Sequence, residues 1–269
     1  MTRVVRLGAV SYLNARPLVY GLRESAMFDL RFDLPAVCAQ LLAAGRIDLG
    51  LVPSITFAAG DAIVPGLAIA SDGPVASVAI FTRVPPSKIR TLALDTSSRT
   101  SVALTRILCR RRLEIAPEFV PHAPDLSAML DACDAALLIG DPALFADGRA
   151  LGAEKLDLGQ MWTEWTGLPF VWACWVGRAS SHAIDAGIVA RLQAAREEGL
   201  LHSDAVADEF CAGEIHRRDI ARRYLRESIR YELDDRMLRG LETYYREAAA
   251  LGLIAAVPPL RFFPVPNKN

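Results

Sequence analysis

The feature of this sequence that most limits its fold is a repeated alternation of short apolar runs with helical stretches. Near the start of the chain, Val4–Val10, Leu30–Leu34 and Ile47–Val52 are apolar runs of strand length. Between the last two runs, Pro35–Ala44 has a helical pattern that Gly45 ends. Strands and helices that alternate in this way pair mainly in parallel, because each helix carries the chain back across the sheet. The sequence therefore predicts an α/β protein.

A second alternating series follows the break at Pro85-Pro86. Its predicted strands and helices follow one another in the order Thr91–Leu94, Arg99–Arg112, Glu118–Val120, Leu126–Cys133 and Ala135–Ile139. Two longer extended runs, Val75–Thr82 and Phe170–Val176, flank this series and are expected to cross between two lobes. We therefore predict a discontinuous lobe 1 of residues 1–82 and 177–269, and a lobe 2 of residues 83–176.

This organisation is that of the two-lobed periplasmic-binding-protein-like folds of type II, with mixed, mostly parallel sheets and a ligand cleft between the lobes. The inference is a structural analogy and carries no chemistry by itself. Further helices are predicted outside the second series, and those of the C-terminal part are expected to pack on lobe 1. They are Pro17–Glu24, a helix that starts at Pro53-Ser54, Ile184–Glu198, Asp204–Cys211, Arg217–Ile229 and Asp234–Leu251.

Composition excludes several classes of partner. Lys and Arg number 30 against 31 Asp and Glu, so a net charge of -1 gives no global field for nucleic acid or an anionic membrane. No window approaches the roughly 18 uncharged apolar residues of a membrane span, and the first strand has no signal-peptide cleavage pattern, so we expect a cytoplasmic protein. Five widely spaced cysteines without a CxxC pair, and four scattered histidines, predict buried reduced thiols and no metal site.

Ligands of open α/β sheets bind beyond the carboxyl ends of the strands, which here points to four loops. These loops are Ser11–Asn14, Val52–Ser54, Asp95–Ser101 and Gly140-Asp141. In the third, hydroxyl residues from Thr96 to Ser101 crowd a helix start, where backbone N–H groups and the helix dipole favour a carboxylate or phosphate. An ordinary helix cap is the alternative, although a cap needs only one hydroxyl.

Two further polar residues in these loops are candidates for catalysis. Asn14 follows the first strand, and its amide could orient a substrate hydroxyl or carbonyl; the alternative is a structural turn residue. Asp141 precedes Pro142 at a helix start, where a plain N-cap is the alternative to a general base. Aromatic side chains such as Phe170 and Trp172 suit the wall of a flat ring, and a place in the core is equally open.

Six strings of residues, spread in order over nearly the whole chain, are more specific than these patterns. They are GAVSYLNARPL from Gly8, GRIDLGLVPS from Gly45, SDGPVASV from Ser71, TSVAL from Thr100, AALLIGD from Ala135 and DLGQMWTEWTGLPFV from Asp157. Together they resemble the chorismate dehydratase family of the futalosine route to menaquinone. The resemblance implies a carbon–oxygen hydro-lyase that removes water from chorismate, without a cofactor, to give 3-[(1-carboxyvinyl)oxy]benzoate.

Two other functions stay open beside this one. The 1,4-dihydroxy-6-naphthoate synthases of the same pathway share the fold but carry a His-Glu pair after the strand that here ends in Gly140-Asp141, and this chain has no His there. The other is a non-catalytic solute-binding protein for a small carboxylate. Oligomeric state is not predicted.

The predicted site combines two catalytic residues, Asn14 and Asp141, with residues that contact the substrate. Either Asp141 or the enolpyruvyl carboxylate of chorismate itself is expected to take the proton. The residues predicted to contact the dicarboxylate substrate are Ser11, Tyr12, Ser54, Ser77, Ser98, Thr100, Ser101, Gly140 and Phe170.

Overall fold

The computed structural model describes residues 4–265 of the chain and contains two sheets with helices packed on them. The strands are β1 (Val5–Val10), β2 (Phe28–Asp33), β3 (Leu49–Pro53), β4 (Asp61–Ser71), β5 (Val78–Thr82), β6 (Thr91–Asp95), β7 (Glu118–His122), β8 (Ala135–Ile139), β9 (Glu154–Asp157) and β10 (Phe170–Arg178). The α-helices are α1 (Pro35–Ala43), α2 (Arg99–Arg111), α3 (Leu126–Ala132), α4 (Gly140–Leu144), α5 (Leu158–Thr166), α6 (Ala186–Leu201), α7 (Ser203–Phe210), α8 (Arg218–Arg223) and α9 (Asp235–Ala250).

Over the described residues, each sheet has five strands that pair in both directions. The first has the order β2-β1-β3-β10-β4, in which β1 is parallel to β2 and β3 while β10 is antiparallel to β3 and β4. The second has the order β7-β6-β8-β5-β9, with β6 parallel to β7 and β8 and with β5 antiparallel to β8 and β9. The predicted two-lobed α/β fold with mixed sheets is confirmed. We call the parts that carry the two sheets the first and second lobe.

Two strands lie in the lobe opposite to the one predicted. Val78–Thr82 was expected in lobe 1, but it pairs with β8 and β9 and belongs to the second sheet. Residues 170–176 were expected in lobe 2, but β10 pairs with β3 and β4 in the first sheet. The chain therefore crosses between the sheets at residues 72–77 and returns at residues 167–169.

Three predicted helices differ from the structure. In place of Pro17–Glu24 there is a 3-10 turn, Leu13–Val19, and the chain then bends at Gly21, whose φ of 64° a helix cannot contain. The helix expected from Pro53-Ser54 is one 3-10 turn before the long strand β4. The single helix expected over Arg217–Ile229 is α8 followed by a π-helical turn, Tyr224–Ser228.

The C-terminal helices differ in the lobes that they contact. α6 packs on the 3-10 turn Leu13–Val19 and on β4, as expected for helices of the first lobe. α9 contacts both β10 of the first lobe and α2 of the second, so it does not pack on one lobe alone. Its Gly240 lies so close to Pro169 that a Cβ there would stand 2.1 Å from the Pro169 carbonyl oxygen. None of the helices in the described range is long and apolar enough to cross a membrane.

Candidate active site

A narrow cavity of ≈ 50 Å³ lies between the lobes, at the carboxyl ends of β1, β3 and β8. Ligand pockets usually measure about 300–1,000 Å³, so this cavity is too small for a dicarboxylate, and its walls must move apart to admit one. Its position fits the rule that α/β sheets bind ligands beyond the carboxyl ends of their strands. The lining residues are Val10, Tyr12, Asn14, Pro35, Pro53, Ile69, Val75, Ser77, Val78, Ser98, Ser101, Ile139, Gly140, Trp172 and Ala173.

Asn14 and Ser77 meet at one end of this cavity through a buried tyrosine. The Asn14 side chain donates from Nδ2 to Tyr224 Oη at 3.0 Å, and Tyr224 Oη lies 2.7 Å from Ser77 Oγ. The second polar atom of the amide, Asn14 Oδ1, is buried and has no hydrogen-bond partner. Complete burial raises the pKa of Tyr224 well above its usual value, so this phenol stays neutral. Asn14 therefore has one anchored atom and one that is left for a ligand.

Ser98 and Ser101 bring the start of α2 to the cavity. Ser98 caps the helix, and its Oγ accepts hydrogen bonds from the Ser101 backbone N–H at 3.4 Å and from Ser101 Oγ at 3.2 Å. With both lone pairs engaged, the hydroxyl proton of Ser98 is left to donate to a ligand. Both serines of the predicted anion site therefore line the cavity, together with the N-terminal end of the helix.

Thr100 and Ser54 were predicted beside these serines but lie behind the cavity wall. Thr100 is fully buried, and its Oγ1 accepts from the Ile55 backbone N–H at 3.2 Å and lies 3.3 Å from Ser54 Oγ. Ser54 Oγ in turn donates to the Val171 carbonyl at 2.8 Å. Because Ser54 belongs to the first lobe and Thr100 to the second, the structure gives these hydroxyls a role in lobe contact.

Ser11 and Phe170 are also absent from the cavity wall. The Ser11 backbone N–H donates to the Asp33 carbonyl at 3.0 Å, and the Ser11 carbonyl accepts from Arg16 Nη2 at 3.2 Å. Phe170 is buried in an aromatic cluster, with its ring centroid 5.2 Å from that of Trp162 and 4.8 Å from that of Tyr244. For Phe170 the structure thus decides in favour of the core.

Asp141 connects the lobes and does not line the cavity. Its Oδ1 accepts from the Leu13 backbone N–H at 3.0 Å, and the side chain faces a separate surface pocket that also contains Arg217. Burial raises the pKa of Asp141 to about 6, although the Leu13 hydrogen bond and the positive charge of Arg16 act in the opposite direction. The geometry favours a part in lobe contact over the predicted part as a base.

The raised pKa of Asp141 makes the stability of the protein depend on pH. The folded state holds this proton up to about pH 6, whereas an unfolded Asp releases it near about pH 3.9. The folded state therefore binds more protons between these values, and the free energy of unfolding should fall as pH rises from about 4 to about 6, then level off.

We expect thermal unfolding of the wild type and of Asp141→Asn, measured from pH 4 to 7, to isolate this contribution. The Asn oxygen can still accept from Leu13 N–H but does not titrate. The Tm of the variant should increase relative to that of the wild type as the pH rises from about 4 to about 6. A difference in Tm that stays constant across this range would contradict the raised pKa.

Gly140 lets the two lobes approach each other at Tyr12. Its φ is 65°, and a Cβ at this position would lie 2.6 Å from the Tyr12 ring. Tyr12 Oη is 3.3 Å from Ser97 Oγ of the second lobe. Burial raises the pKa of Tyr12 to about 12, so this phenol is also neutral near pH 7. Tyr12 and Gly140, both predicted for the site, are brought together at the cavity wall.

A larger cleft of ≈ 480 Å³ lies on the outer surface beside the C-terminal helices and includes three arginines. Arg226 pairs there with Asp204 and Arg236 with Asp72, so these two charges are already neutralised. The cavity between the lobes is the better candidate site, because it is lined by several of the predicted site residues and the outer cleft by none. Within residues 4–265, no group of three His, Cys, Asp or Glu side chains is placed to hold a metal ion.

Comparison with known proteins identifies the family. A family model described as menaquinone biosynthesis matches residues 5–250. The chain belongs to the menaquinone biosynthesis family. This family membership agrees with the six strings of residues that pointed to it from the sequence.

One curated relative of this protein is named after an enzymatic activity. It is a chorismate dehydratase from Thermus thermophilus, 31% identical over 265 residues, which cover 92% of this chain and 95% of the relative. Solved structures show the same fold at lower identity. Protein AF1704 from Archaeoglobus fulgidus matches with a TM-score of 0.75 and 17% identity, over 93% of this chain and 98% of that one.

A periplasmic binding protein gives a second structural match for this member of the menaquinone biosynthesis family. The aliphatic sulphonate binding protein SsuA from Escherichia coli has a TM-score of 0.66 and 15% identity, over 99% of this chain and 98% of that one. At this identity the likeness concerns the fold alone. It agrees with the periplasmic-binding-protein-like fold predicted from the order of strands and helices.

Sequence reasoning missed Tyr224 as part of the site of this menaquinone biosynthesis protein. Tyr224 is 210 residues from Asn14 and lies in a segment whose pattern predicts an ordinary helix. The sequence distinguishes it only as a tyrosine in an Arg-rich stretch. That signal indicates burial but not a partner.

Proposed function

We propose that this chain is a chorismate dehydratase that converts chorismate into 3-[(1-carboxyvinyl)oxy]benzoate and water, in the futalosine route to menaquinone. The observation that carries this proposal is the 31% identity, over 92% of the chain, to a protein of that name. The geometry supports it, because polar residues predicted for the reaction, Asn14, Ser77, Ser98 and Ser101, line one narrow cavity between the lobes.

The cavity can bind an anion through neutral hydrogen-bond donors and the helix dipole, without positively charged side chains. Among its described lining residues there is no Lys or Arg, so neutral donors have to hold the two carboxylates of chorismate. The start of α2 supplies the helix dipole and the free hydroxyl proton of Ser98. We assign the ring carboxylate to this place.

The reaction needs little acid–base machinery from the protein. The carbon–oxygen bond of the ring hydroxyl breaks, the neighbouring ring carbon loses its proton, and the ring becomes aromatic. The driving force thus belongs to the substrate, and the protein must mainly position it and stabilise developing charge. Asn14 Oδ1 is free to accept from the ring hydroxyl and so to orient it for departure.

We assign the role of general base to the enolpyruvyl carboxylate of the substrate itself. Tyr12 is the one titratable side chain among the described lining residues, and its pKa of about 12 keeps it protonated. Asp141 contacts Leu13 away from the cavity. The enolpyruvyl carboxylate of chorismate can take the ring proton, which then joins the departing hydroxide as water.

We expect the double variant Ser98→Ala/Ser101→Ala to bind a carboxylated product analogue more weakly, because two hydroxyls leave a water-poor anion site. Each hydrogen bond to a charged group is worth about 1.5–3 kcal/mol, so one lost bond from Ser98 should weaken binding by about 10- to 150-fold. Isothermal titration measures the affinity.

The matched control for this variant is Thr105→Val on the same helix. Thr105 is fully buried, its Oγ1 has no partner, and it does not line the cavity. The control should bind the analogue as the wild type does. Unchanged affinity in the double variant, with the fold intact, would move the carboxylate site away from the start of α2.

We further propose that the protein acts in the cytoplasm and has neither a nucleic acid nor a membrane as partner. All five cysteines are free and buried, which suits a reducing compartment. The near-zero net charge supports the absence of a polyanionic partner.

The direct test is to incubate the purified protein with chorismate. A product lighter by one water, with the absorbance of a substituted benzoate, is expected in the presence of the protein and not without it. Chorismate that binds and is recovered unchanged would favour the solute-binding function. Chorismate that neither binds nor reacts would overturn the proposed substrate.

A further inference from the structure

We propose that Tyr224 is a positioning residue that anchors the side chains of Asn14 and Ser77 and couples the polar atoms that the two present to the substrate. The inference rests on the proposed function, since it concerns the same cavity, and it adds a residue from the C-terminal part of the chain. Tyr224 does not line the cavity but lies behind its wall, with 2% of its surface exposed.

The local fold holds the Tyr224 hydroxyl in place. Tyr224 starts the π-helical turn, and its carbonyl accepts from the Ile229 N–H five residues later, at 3.3 Å. Beyond this turn, Arg230 and Tyr231 bond to the edge of β4 through Ala70 and Ala68. Such π-turns inside helical segments are frequent at functional sites, because they shift side chains out of helical register. These hydrogen bonds close the turn and attach the residues that follow it to β4.

A count of protons determines the direction of each hydrogen bond. Tyr224 Oη accepts from Asn14 Nδ2, and Ser77 Oγ is its only other partner within the described chain. A buried phenol has one proton to donate, so that proton goes to Ser77 Oγ at 2.7 Å. The Ser77 hydroxyl proton has then no protein acceptor among residues 4–265 and is free for a ligand.

The cavity therefore presents a defined pair of groups: an acceptor at Asn14 Oδ1 and a donor at Ser77 Oγ–H. A substrate with a hydroxyl to donate and a nearby oxygen to accept matches this pair, as the ring hydroxyl and an ether or carboxylate oxygen of chorismate do. If the Asn14 amide turned over, Tyr224 would donate to its oxygen and Ser77 to Tyr224, and both groups facing the cavity would reverse. Tyr224 thus couples the two residues, so that the orientation of Asn14 and the proton that Ser77 presents change together.

Tyr224→Phe tests this role, because it removes the hydroxyl and keeps the buried ring. We expect kcat for chorismate to fall about 10- to 100-fold, as two neutral hydrogen bonds are lost, while KM changes by less than about threefold. Tyr231→Phe is the matched control, since Tyr231 is also buried but its hydroxyl has no partner. The control should keep wild-type kcat.

Two further measurements separate positioning from general support of the fold. In the Asn14→Ala background, Tyr224→Phe should lower kcat by a smaller factor than in the wild type, because one of its two partners is gone. The side-chain NH₂ resonances of Asn14, assigned in ¹⁵N-labelled protein by their loss in Asn14→Ala, should shift in Tyr224→Phe and in Ser77→Ala. They should not shift in Tyr231→Phe.

The NMR measurement needs no turnover, so the proposed function and the role of Tyr224 fail separately. A wild-type protein that leaves chorismate unreacted overturns the dehydratase proposal, while the Asn14 resonances still report on Tyr224. Unshifted Asn14 resonances in both Tyr224→Phe and Ser77→Ala, or wild-type kcat in Tyr224→Phe, would overturn the positioning role. A fall in kcat matched by the same fall in Tyr231→Phe would do so as well.

Discussion

Replacement of Asn14 by Ala is expected to lower kcat by about 10²-fold, because the side chain that orients the departing hydroxyl is lost and a misplaced reacting group can cost a factor of this size. Asn14 Oδ1 is buried in the cavity wall without a partner, so the truncated side chain removes an atom that no other protein contact uses. Binding should change less than turnover, because the orientation of the hydroxyl matters most when its carbon–oxygen bond breaks.

Asn14→Asp is the comparison that tests the cause. This variant adds a negative charge beside a dianionic substrate and replaces the Nδ2 donor that bonds Tyr224 with an acceptor. It should be at least as inactive as Asn14→Ala. Steady-state kinetics and thermal unfolding of both variants are the measurements. Near wild-type kcat in Asn14→Ala, or a Tm that falls in step with activity, would reduce Asn14 to a structural turn residue.

Gly140→Ala is expected to lower kcat/KM by about 5- to 150-fold, because the new methyl group would occupy the place of the Tyr12 ring. A Cβ at Gly140 would stand 2.6 Å from two carbon atoms of that ring, so the lobes could not close to the observed distance. Overpacking of this kind costs about 1–3 kcal/mol, and here the cost falls on the closed state alone. Tyr12 lines the cavity and cannot move without changing its shape.

Gly152→Ala provides the matched control for this change. Gly152 has a φ of 69°, close to the 65° of Gly140, but a Cβ at Gly152 would have no neighbouring atom within 4 Å. Both variants therefore carry a similar strain of about 1–2 kcal/mol for an L-residue in the left-handed region. Only Gly140→Ala should lose activity beyond its loss of Tm. Equal kcat/KM in the two variants would show that the contact between Gly140 and Tyr12 does not matter for catalysis.

The parts of the site that follow strands could be predicted from local pattern. Asn14 and Gly140 come directly after apolar runs, and Ser98 and Ser101 start a helix after another. Because strand ends of one sheet meet at one edge, position along the chain was enough to place these residues at the cleft. The structure brings all four to the same cavity.

Other polar residues of the same loops have side chains that lie in the contact between the lobes. Ser54 and Thr100 differ from Ser98 and Ser101 only in which way their hydroxyls face, and Asp141 is next to a lining residue. The direction of a side chain at a helix start depends on what the opposite lobe places there. No pattern within one segment contains that information.

The sequence by itself determined the alternation of strands and helices, the two-lobed α/β class and the family. Only the tertiary structure decided that Val78–Thr82 belongs to the second lobe and residues 170–176 to the first, and that Tyr224 reaches Asn14. The physical reason is that each residue of Val78–Thr82 is buried, so the strand has no polar face to indicate its partners. The apolar pattern of a segment determines whether its side chains are buried. The pairing of distant strands determines which residues they are buried against.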